Sequence, residues 1–119
     1  MQKILIIIND ATYGTEKAYN ALRMAITLQK EHAENVEINI FLLADSVTCA
    51  LPNQKTANGY YNIEKMLKLV IKKGAKIKSC GGCSQARGID QLKLIEGVEL
   101  SNMVEFAQWT MEADKVLNF

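Results

Sequence analysis

A continuous apolar run near the start of the chain restricts what the chain can fold into. Residues 4–8 are all isoleucine or leucine, and Asn9 and Asp10 follow as a polar turn. Strands buried on one face alternate apolar and polar residues, whereas strands of a parallel sheet are buried on both faces and lack that alternation. The run therefore predicts a parallel-sheet strand over residues 3–9.

Three later segments carry apolar residues at helical spacing. Thr15 is predicted to cap the first helix, with Glu16 in its first turn, and Gly74 follows the end of the second. Asn102, with Glu105 at capping-box spacing, is a candidate cap for the third, with Ser101 as the other candidate. The positions on these faces are Ala18, Ala21, Leu22, Ala25 and Leu28; Ile63, Met66, Leu67, Val70 and Ile71; and Met103, Phe106, Ala107, Thr110 and Met111, with Trp109 expected to pack there or at a subunit contact.

Strands are predicted between these helices. Residues 36–44 turn from alternating to wholly apolar, residues 75–79 alternate and lead into Cys80, and residues 115–119 are a plausible last strand. Residues 94–100 fit either a turn or a brief strand. The order indicates an α/β fold with three α/β/α layers and a mainly parallel sheet of about five strands. We expect a single domain over residues 1–119.

Residues 47–61 form the longest stretch without a helix or strand pattern, and they contain Pro52, the only proline. Long irregular loops in small domains are usually functional or disordered. We interpret this one as a lid or an oligomer contact.

The ends of the predicted strands bring polar residues to one edge of the sheet. Asn9, Asp45 and Cys80 each follow a strand, and the carboxyl edge of a parallel sheet is where ligands gather. Aspartates at strand ends are also common turn and cap residues, so that structural role stays open for Asp45. The candidate substrate-binding residues are Asn9, Tyr13, Asp45, Gly81 and Gly82.

The loop Cys80-Gly81-Gly82-Cys83 is the strongest candidate for chemistry. Two thiols at this spacing can share a metal, form a disulfide or pass a sulfur atom. A strand leading into a possible helix can lower a thiol pKa, and Arg87 could stabilise a charged sulfur. Cys80 is the candidate nucleophile, Cys83 a resolving or second carrier thiol, and Arg87 the charge-stabilising residue. Simple packing of both thiols is the structural alternative.

Two other uses of a Cys-x-x-Cys loop fit less well. A structural zinc site needs four ligands, and beyond Cys80 and Cys83 the chain offers only Cys49 and His32, so no metal is expected. Thioredoxin-like domains place the thiols after an early strand and a proline later, whereas here Pro52 precedes them. No glycine-rich dinucleotide or phosphate motif is present, so no cofactor is expected.

Composition limits the partners. The net charge is +1 and basic and acidic residues are mixed along the chain, which argues against a nucleic-acid or membrane-surface partner. The apolar run at the N-terminus is too short for a signal peptide, and no stretch reaches the roughly 20 apolar residues of a membrane helix. We expect a cytoplasmic protein, in which three cysteines stay reduced.

Several stretches together resemble the DsrE/DsrF superfamily, and its YchN-like branch in particular. They span nearly the whole chain and are residues 1–4, Tyr13-Gly14, Gln54-Lys55, Tyr61-Asn62-Ile63, Cys80-x-x-Cys83-x-x-x-Arg87-Gly88-Ile89, Leu94-Ile95-x-Gly97-Val98-Glu99, and residues 107–110 and 113–117.

The resemblance implies a parallel α/β domain and a homo-oligomer, with a hexamer built as a trimer of dimers as the expected assembly. It also implies that Cys80, seven residues before Arg87, takes the position of the family's sulfur-relay cysteine. Cys83 is not found in all members. The implied function is handling of sulfane sulfur or thiol redox, with Cys80 carrying a persulfide and a sulfur donor or acceptor protein as partner. The alternative is an oligomeric binding or scaffold protein with structural or redox-sensitive cysteines, so whether the chain is an enzyme stays open.

Overall fold

Five parallel strands form one sheet in the computed structural model, which describes residues 1–119. The order across the sheet is β4-β3-β2-β1-β5, so β1 lies between its sequence neighbour and the last strand. The strands are β1 (Gln2–Ile8), β2 (Val36–Leu42), β3 (Lys76–Cys80), β4 (Val98–Ser101) and β5 (Lys115–Asn118). The predicted fold class is confirmed, and the sheet is wholly rather than mainly parallel.

Helices cover the two faces of the sheet unequally. The helices are α1 (Lys17–Glu31), α2 (Ile63–Lys72), α3 (Gly81–Ala86) and α4 (Met103–Glu112), with a 3-10 helix over Ala44–Ala50. The larger core cluster joins α1 and α2 to the face of β1 that carries Ile4, Ile6 and Ile8. On the opposite face, Leu5 packs with Phe41 and with Trp109 of α4. Burial of both faces explains why β1 is apolar at successive positions.

Two asparagines fix the starts of helices. The side chain of Asn62 accepts a hydrogen bond from the Lys65 amide, and Asn102 accepts one from the Glu105 amide, both at 2.9 Å. Asn102 therefore caps α4, as one of the two predicted candidates. The reciprocal half of the capping box is absent, because the Glu105 carboxylate accepts from the Ser101 hydroxyl at 2.5 Å instead.

The start of α1 differs from the prediction. The helix begins at Lys17, and Glu16 occupies the N-cap position without a side-chain cap. The Thr15 hydroxyl lies one residue earlier, where it accepts from the Lys17 amide at 3.3 Å and donates to Asp10 at 2.8 Å. The predicted cap position was wrong by one residue, because Thr15 joins the preceding polar turn instead.

The stretch predicted to be irregular over residues 47–61 is only partly so. Its first residues belong to the 3-10 helix, in which Ser46, Val47, Cys49 and Ala50 are buried. The irregular stretch begins at Leu51. The prediction was wrong for the first part because a short helix of seven residues has too few positions to show a period.

The predicted packed face of α4 is confirmed only in part. Trp109 is 8% exposed and Phe106 packs beside it, whereas Met103 and Met111 are 63% and 84% exposed. Phe106, Trp109 and the following Ala113 pack against this face of the sheet, whereas Met103 and Met111 lie outside this cluster. None of the helices combines the length and hydropathy that crossing a membrane requires.

Candidate functional site

The carboxyl ends of three strands meet at one edge of the sheet. Ile8, the last residue of β1, pairs with Leu42, the last of β2, and Leu42 pairs in turn with Ser79 of β3. Asn9, which follows β1, and Cys80, the last residue of β3, therefore stand at the same edge. This is the arrangement that the sequence predicted.

Cys80 lies where β3 ends and α3 begins. Its Sγ accepts a hydrogen bond from the Cys83 amide at 3.3 Å, and its carbonyl accepts one from the Ser84 hydroxyl at 2.9 Å. A Cβ placed on Gly81 would lie 3.0 Å from the Ser101 carbonyl oxygen, so a side chain at the first residue of α3 would crowd the backbone of β4. Gly82 faces open space. The predicted order of strand, thiol pair and helix is confirmed.

The surroundings of Cys80 act on its ionisation in opposite directions. Burial, followed by a side-chain hydrogen bond with Cys83, raises the pKa of the Cys80 thiol, and the amides of Cys83 and Gly82 only partly offset this. The sequence had favoured a lowered pKa, because helix-start amides stabilise a thiolate. Loss of water around the sulfur outweighs those amides, so Cys80 rests as a neutral thiol.

Cys83 is held by a segment far away in the sequence. Its Sγ accepts a hydrogen bond from the Ala44 amide at 3.3 Å. Both sulfurs of the pair therefore receive a backbone N–H. The start of the 3-10 helix is thereby fixed against α3.

Ala44 has a strained backbone at this contact. Its φ of 51° lies in the left-handed region, which costs a residue with a Cβ about 1 kcal/mol. The fully buried Ser46 fixes the segment, because its hydroxyl lies 2.5 Å from the Ile8 carbonyl and 2.6 Å from that of Leu43. Alanine is an ordinary helix former, so nothing in the sequence marks this position.

Arg87 is paired with Asp45. Its Nε and Nη2 donate to Asp45 Oδ1 at 3.0 and 2.7 Å, and its Nη1 donates to the Cys83 carbonyl at 3.0 Å. Both were predicted site residues, and the structure brings them together. The guanidinium is thus committed to a carboxylate and a carbonyl beside the thiol pair.

Asn9 and Tyr13 form bonds away from the thiols. The side-chain Nδ2 of Asn9 donates to Asn118 Oδ1 at 2.7 Å and to the Phe119 carbonyl at 3.0 Å, which ties the end of β1 to the C-terminus. The Tyr13 hydroxyl accepts from the Ile63 amide at 3.3 Å at the start of α2. Of the predicted residues, the structure groups Cys80, Cys83, Gly81, Gly82, Asp45 and Arg87 and places these two in other contacts.

Cys49 belongs to the core. It is 2% exposed, and burial raises the pKa of its thiol to about 12. It therefore stays neutral and shielded within the core. No His, Cys, Asp or Glu side chains gather in a group of three or more that could hold a metal ion.

The structure defines an α/β protein with an all-parallel sheet and two neighbouring free thiols at the carboxyl edge of that sheet. The model of the DsrE/DsrF-like family matches residues 2–119. The chain belongs to this family, which confirms the resemblance seen in the sequence.

Known relatives match over full length. Protein YchN of Escherichia coli K12 is 47% identical over 119 residues, covering all of both chains. The crystal structure of that protein superposes with a TM-score of 0.93 at 46% identity over the whole of both chains. An uncharacterised protein of Methanopyrus kandleri is 40% identical over 116 residues, which is 98% of this chain and 93% of its own. These matches confirm the likeness to YchN and the fold.

Proposed function

We propose that this protein carries sulfane sulfur as a persulfide on Cys80. The observation that supports this most directly is the pair of free thiols at the sheet edge, each with a backbone N–H at its sulfur. The family's sulfur-relay association supports it further. Sulfur is taken up when the Cys80 thiolate attacks the outer sulfur of a donor persulfide. A new S–S bond forms at Cys80, the donor's S–S bond breaks, and the donor leaves as a thiolate.

Ionisation of Cys80 governs the rate of this step. The thiolate is the attacking species, and the raised pKa keeps its population small at neutral pH. The Cys83 and Gly82 amides stabilise the charge once it forms. Arg87 supports the loop through the Cys83 carbonyl, and it can turn towards a charged sulfur only by giving up part of its bonding to Asp45.

The direct test is intact mass spectrometry after incubation with an inorganic polysulfide. We expect the wild type to gain the mass of one sulfur atom, and Cys80→Ser to gain none. Cys83→Ser should still gain it, because Cys80 takes the sulfur directly from the donor. A gain that survives Cys80→Ser, or no gain on the wild type, would contradict the proposal.

A second candidate is an oligomeric binding or scaffold protein without sulfur transfer. The exposed apolar residues of α4 favour an assembly, since Met103, Val104 and Met111 are 63%, 79% and 84% exposed. Iodoacetamide labelling against pH separates the two functions. A working nucleophile gives a Cys80 labelling rate that rises with pH, with a midpoint above the ordinary value of 9.0. A scaffold role predicts thiols that label only after unfolding in urea.

The homo-oligomer is part of both candidates. We propose that copies of this chain assemble, with a trimer-of-dimers hexamer as the assembly that the family resemblance favours. A sulfur donor or acceptor protein is the further partner of the first candidate. The cytoplasm is the compartment that fits, because there the thiols remain reduced.

A further inference from the structure

One backbone corner holds residue Cys83 at two points. The Ala44 amide donates to the Cys83 Sγ at 3.3 Å. The next residue, Asp45, binds Arg87, whose Nη1 donates to the Cys83 carbonyl at 3.0 Å. We call residues 44 and 45 the 44–45 corner. It fixes both the sulfur and the main chain of the second thiol.

The corner is strained where it contacts the sulfur. Ala44 has a φ of 51°, a left-handed value that is unfavourable for a residue with a Cβ. Because φ relates the Ala44 amide to the residues that follow it, the left-handed φ links the N–H···S bond to the position of Asp45. Backbone strain of this kind concentrates at functional positions.

Cys83 also acts on Cys80 through its main chain. Its amide donates to the Cys80 Sγ at 3.3 Å, which places an N–H of the second thiol residue at the sulfur of the first. The orientation of Cys83 therefore determines both its own approach to Cys80 and the charge stabilisation of Cys80 as a leaving group.

We propose that the 44–45 corner positions Cys83 to attack sulfur bound to Cys80, and that Asp45 is the positioning residue, acting through Arg87. The inference rests on the proposed function, in which Cys80 acquires that sulfur. The Cys83 thiolate attacks the outer sulfur of the persulfide, an S–S bond forms at Cys83, and the S–S bond at Cys80 breaks. Cys80 leaves as a thiolate and takes up the proton that Cys83 lost. No oxidant or reductant is needed, and Cys83 becomes the second carrier of the sulfur.

The test uses dithiodipyridine, because this reagent reports the attack of Cys83 on a disulfide at Cys80 without requiring a persulfide. The Cys80 thiolate attacks one sulfur of the reagent, a mixed disulfide forms at Cys80, and a first thiopyridone leaves. The Cys83 thiolate then attacks the Cys80 sulfur, a Cys80–Cys83 disulfide forms, and the second thiopyridone leaves. Cys83→Ser should abolish the second release and so assign it. Cys49 is 2% exposed and does not contribute.

We expect Asp45→Ala to slow the second release by about tenfold, since small misplacements of a reacting group cost this much or more. The first release should stay within about twofold. Asp45→Asn should fall between, because its amide oxygen still accepts from the guanidinium, and it decides the matter if Asp45→Ala fails to fold. Glu37→Ala is the matched control, since it removes a carboxylate paired with Lys3 at the opposite edge of the sheet.

Equal slowing of both releases, or no slowing of either, would overturn the positioning role. The two proposals also fail separately. A wild type that shows an Asp45-dependent second release but gains no sulfur from polysulfide retains the positioning and loses the persulfide function. If the wild type gains sulfur while Asp45→Ala and Asp45→Asn release both thiopyridones at the normal rate, the persulfide function is retained and the positioning role is lost.

Discussion

The three cysteines show how position decides the chemistry of one residue type. Cys49 is enclosed by the core, and burial raises the pKa of its thiol to about 12. Cys80 and Cys83 stand at the sheet edge with amides at their sulfurs and are only partly buried. The spacing of Cys80 and Cys83 identified them from the sequence. The position of Cys49 within a buried 3-10 helix could not be read from it.

The raised pKa of Cys49 makes folding stability depend on pH. The native state keeps this proton up to about pH 12, whereas the unfolded chain releases it above the ordinary value of 9.0. Stability is therefore unaffected by this thiol below pH 9 and falls as pH rises between these two values. We expect the free energy of unfolding to drop by about 1 kcal/mol more between pH 8 and pH 10 in the wild type than in Cys49→Ala. Urea denaturation at both pH values measures this, and equal drops would contradict it.

At the scale of single elements, the sequence predicts those parts whose signals are local. The buried strand β1, the Asn102 cap and the thiol pair before α3 each depend on a few neighbouring residues. The pairing of Asp45 with Arg87 joins residues 42 apart, and the left-handed Ala44 contacts Cys83, which is 39 residues away. Such features have no local pattern, so residue types alone could nominate Asp45 and Arg87 without showing that they bind each other.

The two glycines between the thiols differ in the space available for a side chain. A Cβ on Gly81 would lie 3.0 Å from the Ser101 carbonyl oxygen, and backbone of β4 cannot move aside as a flexible side chain can. We expect Gly81→Ala to lower the free energy of unfolding by about 1–3 kcal/mol. Gly82→Ala meets open space within α3, so it should leave stability unchanged or raise it by up to about 1 kcal/mol. Urea denaturation of both variants measures the contrast, and a Gly81→Ala as stable as Gly82→Ala would show that α3 shifts freely against β4.

For the whole molecule, the uneven covering of the sheet explains why the predicted face of α4 was only partly right. The α1 and α2 face encloses the larger cluster, whereas α4 reaches the other face mainly through Phe106 and Trp109. Apolar spacing alone cannot separate residues that contact the same chain from residues left at its surface. Met103 and Met111 follow the helical period as well as Phe106 does, yet they remain exposed.

These exposed residues lead to a prediction about assembly. Val104 and Met111 are two turns apart on the same face of α4 and are 79% and 84% exposed. Burying each of them against a second copy would contribute about 1.5–3 kcal/mol. We therefore expect Met111→Glu to lower the mass of the oligomer measured by sedimentation velocity, because a buried carboxylate without a partner opposes association. Met24→Glu is the matched control, since Met24 is a methionine on α1 that is 42% exposed. An unchanged mass for Met111→Glu would exclude α4 as the contact, and a monomeric wild type would overturn the homo-oligomer itself.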